Sequence, residues 1–428
     1  MNQKRRAIPP AWLRLDNAAK IYPAARTKGW MPMFRVSLTF TQDIDPAVLQ
    51  QALENTLRRV PLFSYRLRRG LFWNFLEQQD SLPRVEEDAR NPMLPFNLAG
   101  DGGFLFRLRY FRRRVALEVF HALTDGFGAT TFLMTLAAEY LFLRHGVRVP
   151  AEGMVLDTRL QPQPQEWEDS FPLHARGLTR SRAEQSAWQL KGTRETPGFL
   201  RVITGVVPTE NLLLLARSRK TTVNTLLAAV LMQALMQSKE ASARLLSRRR
   251  PVKLSLPVNL RRYYPSRTLR NFSFYVNVPV QTGFGLDSLD ELIDYITHYM
   301  GLETMEPLLN ARFSANVKAE RNHFLRLAPL FLKLLVLKLM YRATGERYVT
   351  STLTNLGNAA MPDAMRPYVE RMDLVLGPAQ KTPVSAAVIS ACGKTCITFS
   401  RTIKETGVEK AFFTALVRLG LPVAVESN

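Results

Sequence analysis

Apolar and polar residues alternate with regular spacing near the start of the chain. Residues 34–42 place apolar side chains at every second position, which is typical of a half-buried β-strand. Asp45 and Pro46 follow, and this pair predicts a helix that begins with a side-chain cap and a proline in its first turn. Apolar residues recur at helical spacing over residues 48–57, and Pro61 ends the element. The chain is therefore predicted to open with a strand followed by a helix.

The rest of the first half continues with strands and one long helix. The pattern predicts a hairpin over residues 63–77 that turns near Gly70, strands over residues 104–110 and 115–120, and a helix over residues 126–143. Strands mixed with helices in this way predict the mixed α/β fold class.

Regular spacing is lost over residues 149–198, where prolines stand among polar residues. Loops of this length are unusual within one compact domain, so we interpret the segment as a crossover linker. We divide the chain into an N-terminal half (1–155), a linker (156–198) and a C-terminal half (199–428). In the second half the pattern predicts strands at 200–207, 252–258, 272–280, 384–390 and 395–400, and helices at 209–217, 223–237, 288–301, 323–342 and 409–419. Asp287 is the expected cap of the third of these helices.

The chain is strongly basic, and this charge narrows the range of partners. Its 428 residues include 58 Lys and Arg against 36 Asp and Glu, a formal net charge of +22. Such an excess favours an anionic partner, for example an acidic membrane face, an acidic carrier protein or a polyphosphate such as coenzyme A. The sequence contains no zinc-finger spacing, RNP motif or basic-zipper heptads, so we do not expect nucleic acid.

The cysteines and the N-terminal residues bear on the compartment. Cys392 and Cys396 are the only cysteines, which excludes a disulfide scaffold and suits a reducing environment. Their spacing, with no second cluster nearby, does not favour a metal site. Residues 1–10 carry positive charge without a following apolar stretch, so no secretion signal is predicted. We therefore expect a cytoplasmic protein.

The most apolar segment, residues 324–340, has two interpretations. Arg326, Pro329, Lys333 and Lys338 interrupt it, which is too many charges for a membrane-spanning helix. It could lie on a membrane as an interfacial helix, or it could face the core while its lysines extend to solvent. We favour the core-facing helix.

His121 is the candidate catalytic residue among the five histidines. It lies between a predicted strand and a predicted helix, and Asp125 and Gly126 follow it. A strand-to-helix turn places a side chain at a sheet edge, where clefts open. Imidazole titrates near neutral pH, so a histidine here could act as a general base. The alternative is a histidine with a purely structural role in the turn.

The segment around His121 resembles a motif of a known superfamily. Val-Phe-His-Ala-Leu-Thr-Asp-Gly is similar to the His-His-x-x-x-Asp-Gly motif of the acyl-CoA-dependent acyltransferases, which include chloramphenicol acetyltransferase, peptide-synthetase condensation domains, wax-ester synthases and alcohol acetyltransferases. Position by position, His121 matches the catalytic histidine, and Asp125 and Gly126 match the Asp and Gly. Phe120 stands where many members have the first histidine.

Three further stretches agree with this resemblance in the same order along the chain. Residues 221–230 resemble the helix that opens the second half of these proteins. Residues 257–262, followed by 270–277, resemble their arginine motif and the adjoining strand. Residues 352–357 resemble a Ser/Thr-Asn segment of wax-ester synthases and alcohol acetyltransferases. The Asp-Phe-Gly-Trp-Gly motif of the plant members is absent, and residues 372–377 stand roughly in its place. The chain therefore looks most like the alcohol-acetyltransferase-like members.

The resemblance implies a fold and a mechanism. It implies two chloramphenicol-acetyltransferase-like halves around a central channel, with His121 as the general base. Asp125 would be structural and would pair with Arg261, with Arg262 as the alternative partner. An acyl-CoA co-substrate and an alcohol or amine acceptor would meet at His121, without a metal or a bound cofactor. The motif matches name Asn277, Thr354 and Asn355 as candidate substrate-binding residues.

A basic cluster is also expected where coenzyme A would enter, and the alternative is a uniformly basic surface that serves solubility. Its candidate members precede or begin strands of the second half: Arg248, Arg249, Arg250, Lys253, Arg267 and Arg270. Of these, Arg267 and Arg270 are the candidate substrate contacts.

Other functions remain open at this point. The donor could be carried by an acyl carrier protein, or the chain could be an inactive binding protein on the same fold. Direct transfer through a ternary complex is expected, because the chain has no Gly-x-Ser-x-Gly turn and its cysteines lie far from His121 in sequence.

Overall fold

The computed structural model describes most of the chain. The described residues are 9–27, 30–98, 100–177, 179, 184–241, 250–283, 285–286, 288–322, 327–340, 346–379 and 381–428. Asp287, His323 and Phe324, which the sequence analysis used for two helices, lie outside them.

The first part of the chain contributes seven described strands and three described helices. These are β1 (Trp12–Arg14), α1 (Ile21–Ala25), β2 (Met33–Phe40), α2 (Pro46–Arg59), β3 (Tyr65–Arg69), β4 (Asn74–Gln78), β5 (Glu86–Glu87), β6 (Phe106–Phe111), β7 (Arg114–Phe120) and α3 (Gly126–His145). The side chain of Asp45 accepts hydrogen bonds from the backbone N–H groups of Ala47 and Val48, at 3.0 and 3.2 Å, so the predicted cap of α2 is confirmed.

The remaining elements lie in the linker and in the second half. They are α4 (Phe171–His174), β8 (Arg201–Pro208), α5 (Thr209–Ser218), α6 (Val223–Glu240), β9 (Val252–Asn259), β10 (Ser273–Val280), α7 (Leu289–Glu303), α8 (Glu306–Arg321), α9 (Leu330–Met340), β11 (Ser351–Asn358), β12 (Val369–Leu376), β13 (Val384–Ala391), β14 (Lys394–Arg401), α10 (Gly407–Arg418) and β15 (Ala424–Ser427).

Three sheets organise these strands. A five-stranded sheet has the order β12-β2-β7-β6-β5, and a seven-stranded sheet has the order β10-β9-β11-β13-β14-β8-β15. The third sheet is small and has the order β1-β4-β3. In the large sheet β11 runs parallel to both β9 and β13, whereas β13, β14 and β8 pair antiparallel. Mixed sheets with helices confirm the predicted α/β class.

Strand β12 connects the two halves through the backbone. It follows β11 of the large sheet in sequence, yet it pairs antiparallel with β2 of the five-stranded sheet, with Asp373 opposite Ser37. The chain then returns to the large sheet as β13. Hydrogen bonds of the second half therefore complete the sheet of the first half.

The described residues form two apolar cores, and the first also takes in residues of the second half, such as Leu374 of β12 and Ile389 of β13. One contains Leu49 of α2, Leu117 of β7 and Phe132 of α3, all fully buried. The other contains Leu231 of α6 and Phe412 of α10, also fully buried. Among the helices that the structure describes, α3 alone is long and apolar enough to cross a membrane, but 67 % of that stretch is buried inside the protein. Apolar residues on all sides of a helix are typical of such burial.

Some elements were not predicted. Helix α8 was missed although Leu309, Phe313 and Val317 form a buried stripe at every fourth residue, because the rest of the helix is polar. Strands β11 and β12 were not assigned either. Helix α7 is capped by Ser288, whose hydroxyl accepts from the N–H of Glu291 at 3.2 Å.

The favoured orientation of α9 was wrong. Its apolar side chains Phe331, Leu335 and Leu339 are 68 %, 55 % and 56 % exposed, whereas Lys333 is buried. The lysine is on the covered side because its ammonium group donates to the backbone oxygen of Phe72, at 3.0 Å.

Helix α3 lies very close to the loop before β10, and this predicts how a substitution there changes stability. A Cβ at Gly128 would lie 2.1 Å from both Leu269 O and Thr124 Oγ1. Gly128→Ala should therefore lower the free energy of unfolding by about 1–3 kcal/mol through overpacking. Gly301 lies in helix α7, where a Cβ would meet nothing within 4 Å. Gly301→Ala is the matched control and should raise stability by about 0.5–1 kcal/mol. Urea unfolding of both variants checks this, and equal midpoints for Gly128→Ala and wild type would contradict it.

Candidate active site

His121 lies at the junction between strand β7 and helix α3. Its backbone N–H donates to Pro32 O at 3.0 Å, which holds the turn against the residues before β2. Asp125 caps α3, and its Oδ1 accepts from the N–H of Gly128 at 3.1 Å. The predicted turn between strand and helix is confirmed, and the imidazole is partly buried in it.

A buried amide determines which nitrogen of His121 carries the proton. The Nδ2 group of Asn271 donates to Asp16 Oδ2 and to His121 O, both at 3.1 Å. Its Oδ1 therefore faces His121 Nδ1, at 2.9 Å, and can only accept. Nδ1 must carry the hydrogen, and Nε2 keeps its lone pair. This is the tautomer that a general base acting through Nε2 requires.

Aromatic rings enclose the imidazole. Tyr22 of α1 stacks on it with ring centroids 4.6 Å apart, and Phe34 of β2 meets it edge-on at 5.0 Å. Burial lowers the pKa of His121 below its ordinary value of 6.5, and the negative charges of Asp125 and Asp16 act in the opposite direction. The imidazole is thus neutral near pH 7 and ready to accept a proton.

Asp125 joins the two halves at this site. Its Oδ2 accepts from Arg261 Nη1 at 2.7 Å and from the backbone N–H of Phe272 at 2.9 Å. Arg261 also donates to Thr268 O and Arg270 O, at 2.9 and 2.6 Å. Both side chains of the ion pair are buried, at 5 % and 7 % exposure. The pair that the resemblance implies is present, with Arg261 as the partner.

Arg270 does not lie where the sequence analysis placed it. Its side chain is buried, forms an ion pair with Asp16 at 3.5 Å and donates to Trp167 O at 3.3 Å and to Arg14 O. A guanidinium with these internal partners holds the N-terminal residues and the linker against the loop before β10. The expectation of an exposed contact to coenzyme A phosphates is therefore wrong for this residue.

The other residues predicted for the donor end of the site differ in burial and in partners. Asn277 and Lys253 both bond the carboxylate of Glu184, at 2.9 and 3.3 Å, so Lys253 is also a buried internal residue. Arg267 and Arg250 are exposed. Arg248 and Arg249 lie outside the described residues. Of the four predicted cations that the structure describes, two are therefore buried internal residues and two are exposed.

Strand β11 approaches the start of α3. A Cβ at Gly126 would lie 2.7 Å from a methyl group of Leu356, the residue after Asn355. The side chain of Asn355 accepts from the N–H of Gly357 at 2.8 Å, and Thr354 precedes it on the strand. The segment 354–357 therefore borders the turn that carries His121.

The structure also bears on metal binding and on the reactivity of the two cysteines in the described part of the chain. No group of three or more His, Cys, Asp or Glu side chains among these residues could hold a metal ion. Burial raises the pKa of both Cys392 and Cys396, and the neighbouring Asp373 raises that of Cys396 further. Neither thiol is a ready nucleophile, because the thiolate is the reactive form.

Three residues of this site were not predicted from the sequence. Asp16, Tyr22 and Asn271 contact each other or His121, and none was named as a site residue. Asn271 lay inside a matched stretch, directly before Phe272, and its position next to the arginine motif was an available signal. Asp16 and Tyr22 lie in an N-terminal segment without regular spacing, so the sequence offered no signal for them.

The similarity of this chain to known proteins lies in its whole fold, and little of it lies in the sequence. The sequence matches no protein-family model and no curated protein. Solved structures do match it over nearly their full length. Polyketide synthase associated protein 5 from Mycobacterium tuberculosis is 16 % identical, with a TM-score of 0.61 and coverage of 96 % of this chain and 98 % of that one. A trichothecene 15-O-acetyltransferase from Fusarium sporotrichioides is 12 % identical, with a TM-score of 0.62 and coverage of 96 % and 94 %.

Condensation domains match equally well. The starter condensation domain of rhizomide synthetase, a mutant in complex with C8-CoA and Leu-SNAC, is 15 % identical, with a TM-score of 0.60 and coverage of 96 % and 94 %. This chain has the condensation-domain and acyltransferase fold. The predicted architecture of two similar halves is thereby confirmed. The contacts of His121 with Asn271 and of Asp125 with Arg261 both join a residue of the first half to one of the second.

The buried ion pair between Asp125 and Arg261 leads to a second prediction about stability. Asp125→Ala leaves Arg261 buried without its charge partner, so we expect a loss of about 3–5 kcal/mol in unfolding free energy. Asp290 forms an exposed ion pair with Arg219, and Asp290→Ala should change stability by about 1 kcal/mol or less. Thermal melting of both variants checks this. An Asp125→Ala curve that overlays wild type would show that the pair does not hold the halves together.

Proposed function

We propose that this chain is an acyltransferase that moves an acyl group from acyl-CoA to an alcohol or amine, with His121 as the general base. The observation that carries the proposal is the contact of Asn271 Oδ1 with His121 Nδ1, which leaves Nε2 as a proton acceptor. The fold neighbours, an acetyltransferase and condensation domains, support the same class of chemistry.

The reaction follows from this arrangement. Nε2 of His121 takes the proton of the acceptor hydroxyl or amine as the acceptor atom attacks the thioester carbonyl. The resulting tetrahedral intermediate collapses, the carbon–sulfur bond breaks, and the imidazolium returns the proton to the departing thiolate. The positive ring that exists between these steps is favoured by the charges of Asp125 and Asp16. General-base help of this kind is worth about 10²–10⁴-fold.

The remaining residues of the site position the base. Asp125 and Arg261 hold the turn against the second half, and Asn271 orients the ring. Transfer is direct in this proposal, because burial keeps Cys392 and Cys396 as thiols.

A carrier-protein thioester is the alternative donor. The net charge of +22 suits an acidic carrier protein as well as coenzyme A. Comparing turnover of one acyl group on coenzyme A and on a carrier protein distinguishes the two donors. An inactive binding protein on this fold would turn over neither.

Removing the imidazole tests the base. His121→Ala should lower turnover by about 10²–10⁴-fold while the protein stays folded. His298 is exposed on helix α7, and His298→Ala is the matched control with wild-type turnover expected. The measurement is mass spectrometry of esters or amides formed from mixtures of acyl-CoA with alcohols and amines. A folded His121→Ala protein with near-normal turnover would contradict the proposal.

The enclosure of the ring by Tyr22 predicts the pH profile. Burial lowers the pKa of His121, so its neutral form persists below pH 6.5 and the acid limb of kcat/KM should lie below that value. Tyr22→Ala admits water to the ring, which should raise its pKa and move the limb to higher pH. Tyr22→Phe keeps the stacked ring and should keep the wild-type limb. An identical limb in the alanine and phenylalanine variants would show that Tyr22 does not control the pKa.

A further inference from the structure

Helix α9 presents its apolar side to solvent. Phe331, Leu335 and Leu339 recur at every fourth residue, and their exposed fractions are 68 %, 55 % and 56 %. Leu332 and Val336 beside them are 45 % and 53 % exposed. A surface helix of a globular protein normally turns polar side chains outward, whereas the outward side of this helix is largely apolar.

Specific contacts on the covered side hold the helix in this orientation. The ammonium group of Lys333 lies 3.7 Å from the centre of the Trp73 ring and donates to Phe72 O at 3.0 Å. The backbone N–H of Leu330 donates to Leu71 O at 2.8 Å. These bonds fix α9 on the β3–β4 turn with Leu330 and Lys333 inward and with Phe331 and Leu335 outward.

The same turn extends the apolar surface. Leu71 and Phe72 are 83 % and 43 % exposed, and Trp12 of β1 is 55 % exposed. These three residues and Trp73 line a cavity of about 560 Å³ beside the helix. We call this surface the α9 face: Phe331, Leu332, Leu335, Val336 and Leu339 of the helix, with Leu71, Phe72 and Trp12. Aromatic side chains of this kind are enriched where proteins meet the interface of a bilayer.

The charged side chains of helix α9 are all positive. Residues 327–340 contain no Asp or Glu, and Lys338 is exposed among the apolar side chains. Arg321 is also exposed, next to Glu320, which lines the same cavity as Leu71. Arg69 is exposed at the start of the β3–β4 turn, and Arg68 beside it is exposed and paired with Glu77. An apolar surface with a cationic border is complementary to a membrane with anionic headgroups.

We propose that the α9 face docks this protein on an anionic lipid surface, a property independent of the acyltransferase proposal. The helix has 11 residues and is about 16 Å long, roughly half the hydrocarbon thickness of a bilayer, so it lies on the membrane and does not cross it. A second copy of the chain fits this face less well. Self-association through this helix would leave Lys338 of each copy without an acidic partner on the other, because residues 327–340 contain no Asp or Glu.

Vesicle co-sedimentation of the full chain tests the proposal. We expect binding to phosphatidylcholine vesicles that contain phosphatidylglycerol, little binding to phosphatidylcholine alone, and release as salt is raised. Leu335→Glu should weaken partitioning by about tenfold or more, because it removes a leucine side chain from the buried surface. Val417 is also 55 % exposed, on helix α10, so Val417→Glu is the matched control and should bind like wild type. Both sites are exposed, and melting curves verify that the variants fold.

Several outcomes would overturn the proposal. These are absence of vesicle binding by wild type, equal binding to both kinds of vesicle, or equal loss in Leu335→Glu and Val417→Glu. Light scattering that shows a wild-type dimer, with Leu335→Glu monomeric, would assign the α9 face to a second copy instead. None of these measurements uses acyl transfer, so a failure here leaves the acyltransferase proposal standing.

Discussion

The carboxylate of Asp125 is the interaction on which the arrangement of the site depends. One oxygen caps helix α3, and the other accepts from Arg261 and from the backbone of Phe272. A single buried group thus ties the turn of the first half to the loop and strand of the second. Because the charge is paired and fully hydrogen-bonded, it is tolerated in a buried place where an isolated charge would be very costly. His121 lies four residues earlier and is held by the same turn.

The environment of His121 is set by residues from two distant segments, the N-terminal residues and the loop before β10. Asn271 selects the tautomer, Asp16 selects the orientation of Asn271, and Tyr22 covers the ring. Burial and the two nearby carboxylates act on the ring in opposite directions, and burial has the larger effect. The result is a neutral imidazole whose protonated form still has negative charge nearby. A base that must gain and return one proton per cycle needs both properties.

The surface of the protein shows the same dependence on internal contacts. Lys333 and Arg270 are cations that sequence reasoning placed at the surface, and each is buried by partners that are distant in the chain. Burying Lys333 against Phe72 turns apolar residues such as Leu335 outward, although a leucine is the residue that folding usually buries. The site and the α9 face are therefore consequences of polar groups whose partners come from elsewhere in the fold.

Features that depend on neighbouring residues could be predicted from the sequence. Alternation predicted β2, the Asp45–Pro46 pair predicted the start of α2, and the spacing of His121 and Asp125 between a strand and a helix marked the candidate site. Three other features became visible only in the folded protein. Asp16 orients Asn271, which lies 255 residues away and contacts His121. Arg270 is internal, and α9 exposes apolar side chains. The physical reason is that periodicity and caps are local properties of the chain. The burial of a charge, or the choice of a hydrogen-bond partner, depends instead on which distant residues the fold brings within about 3 Å.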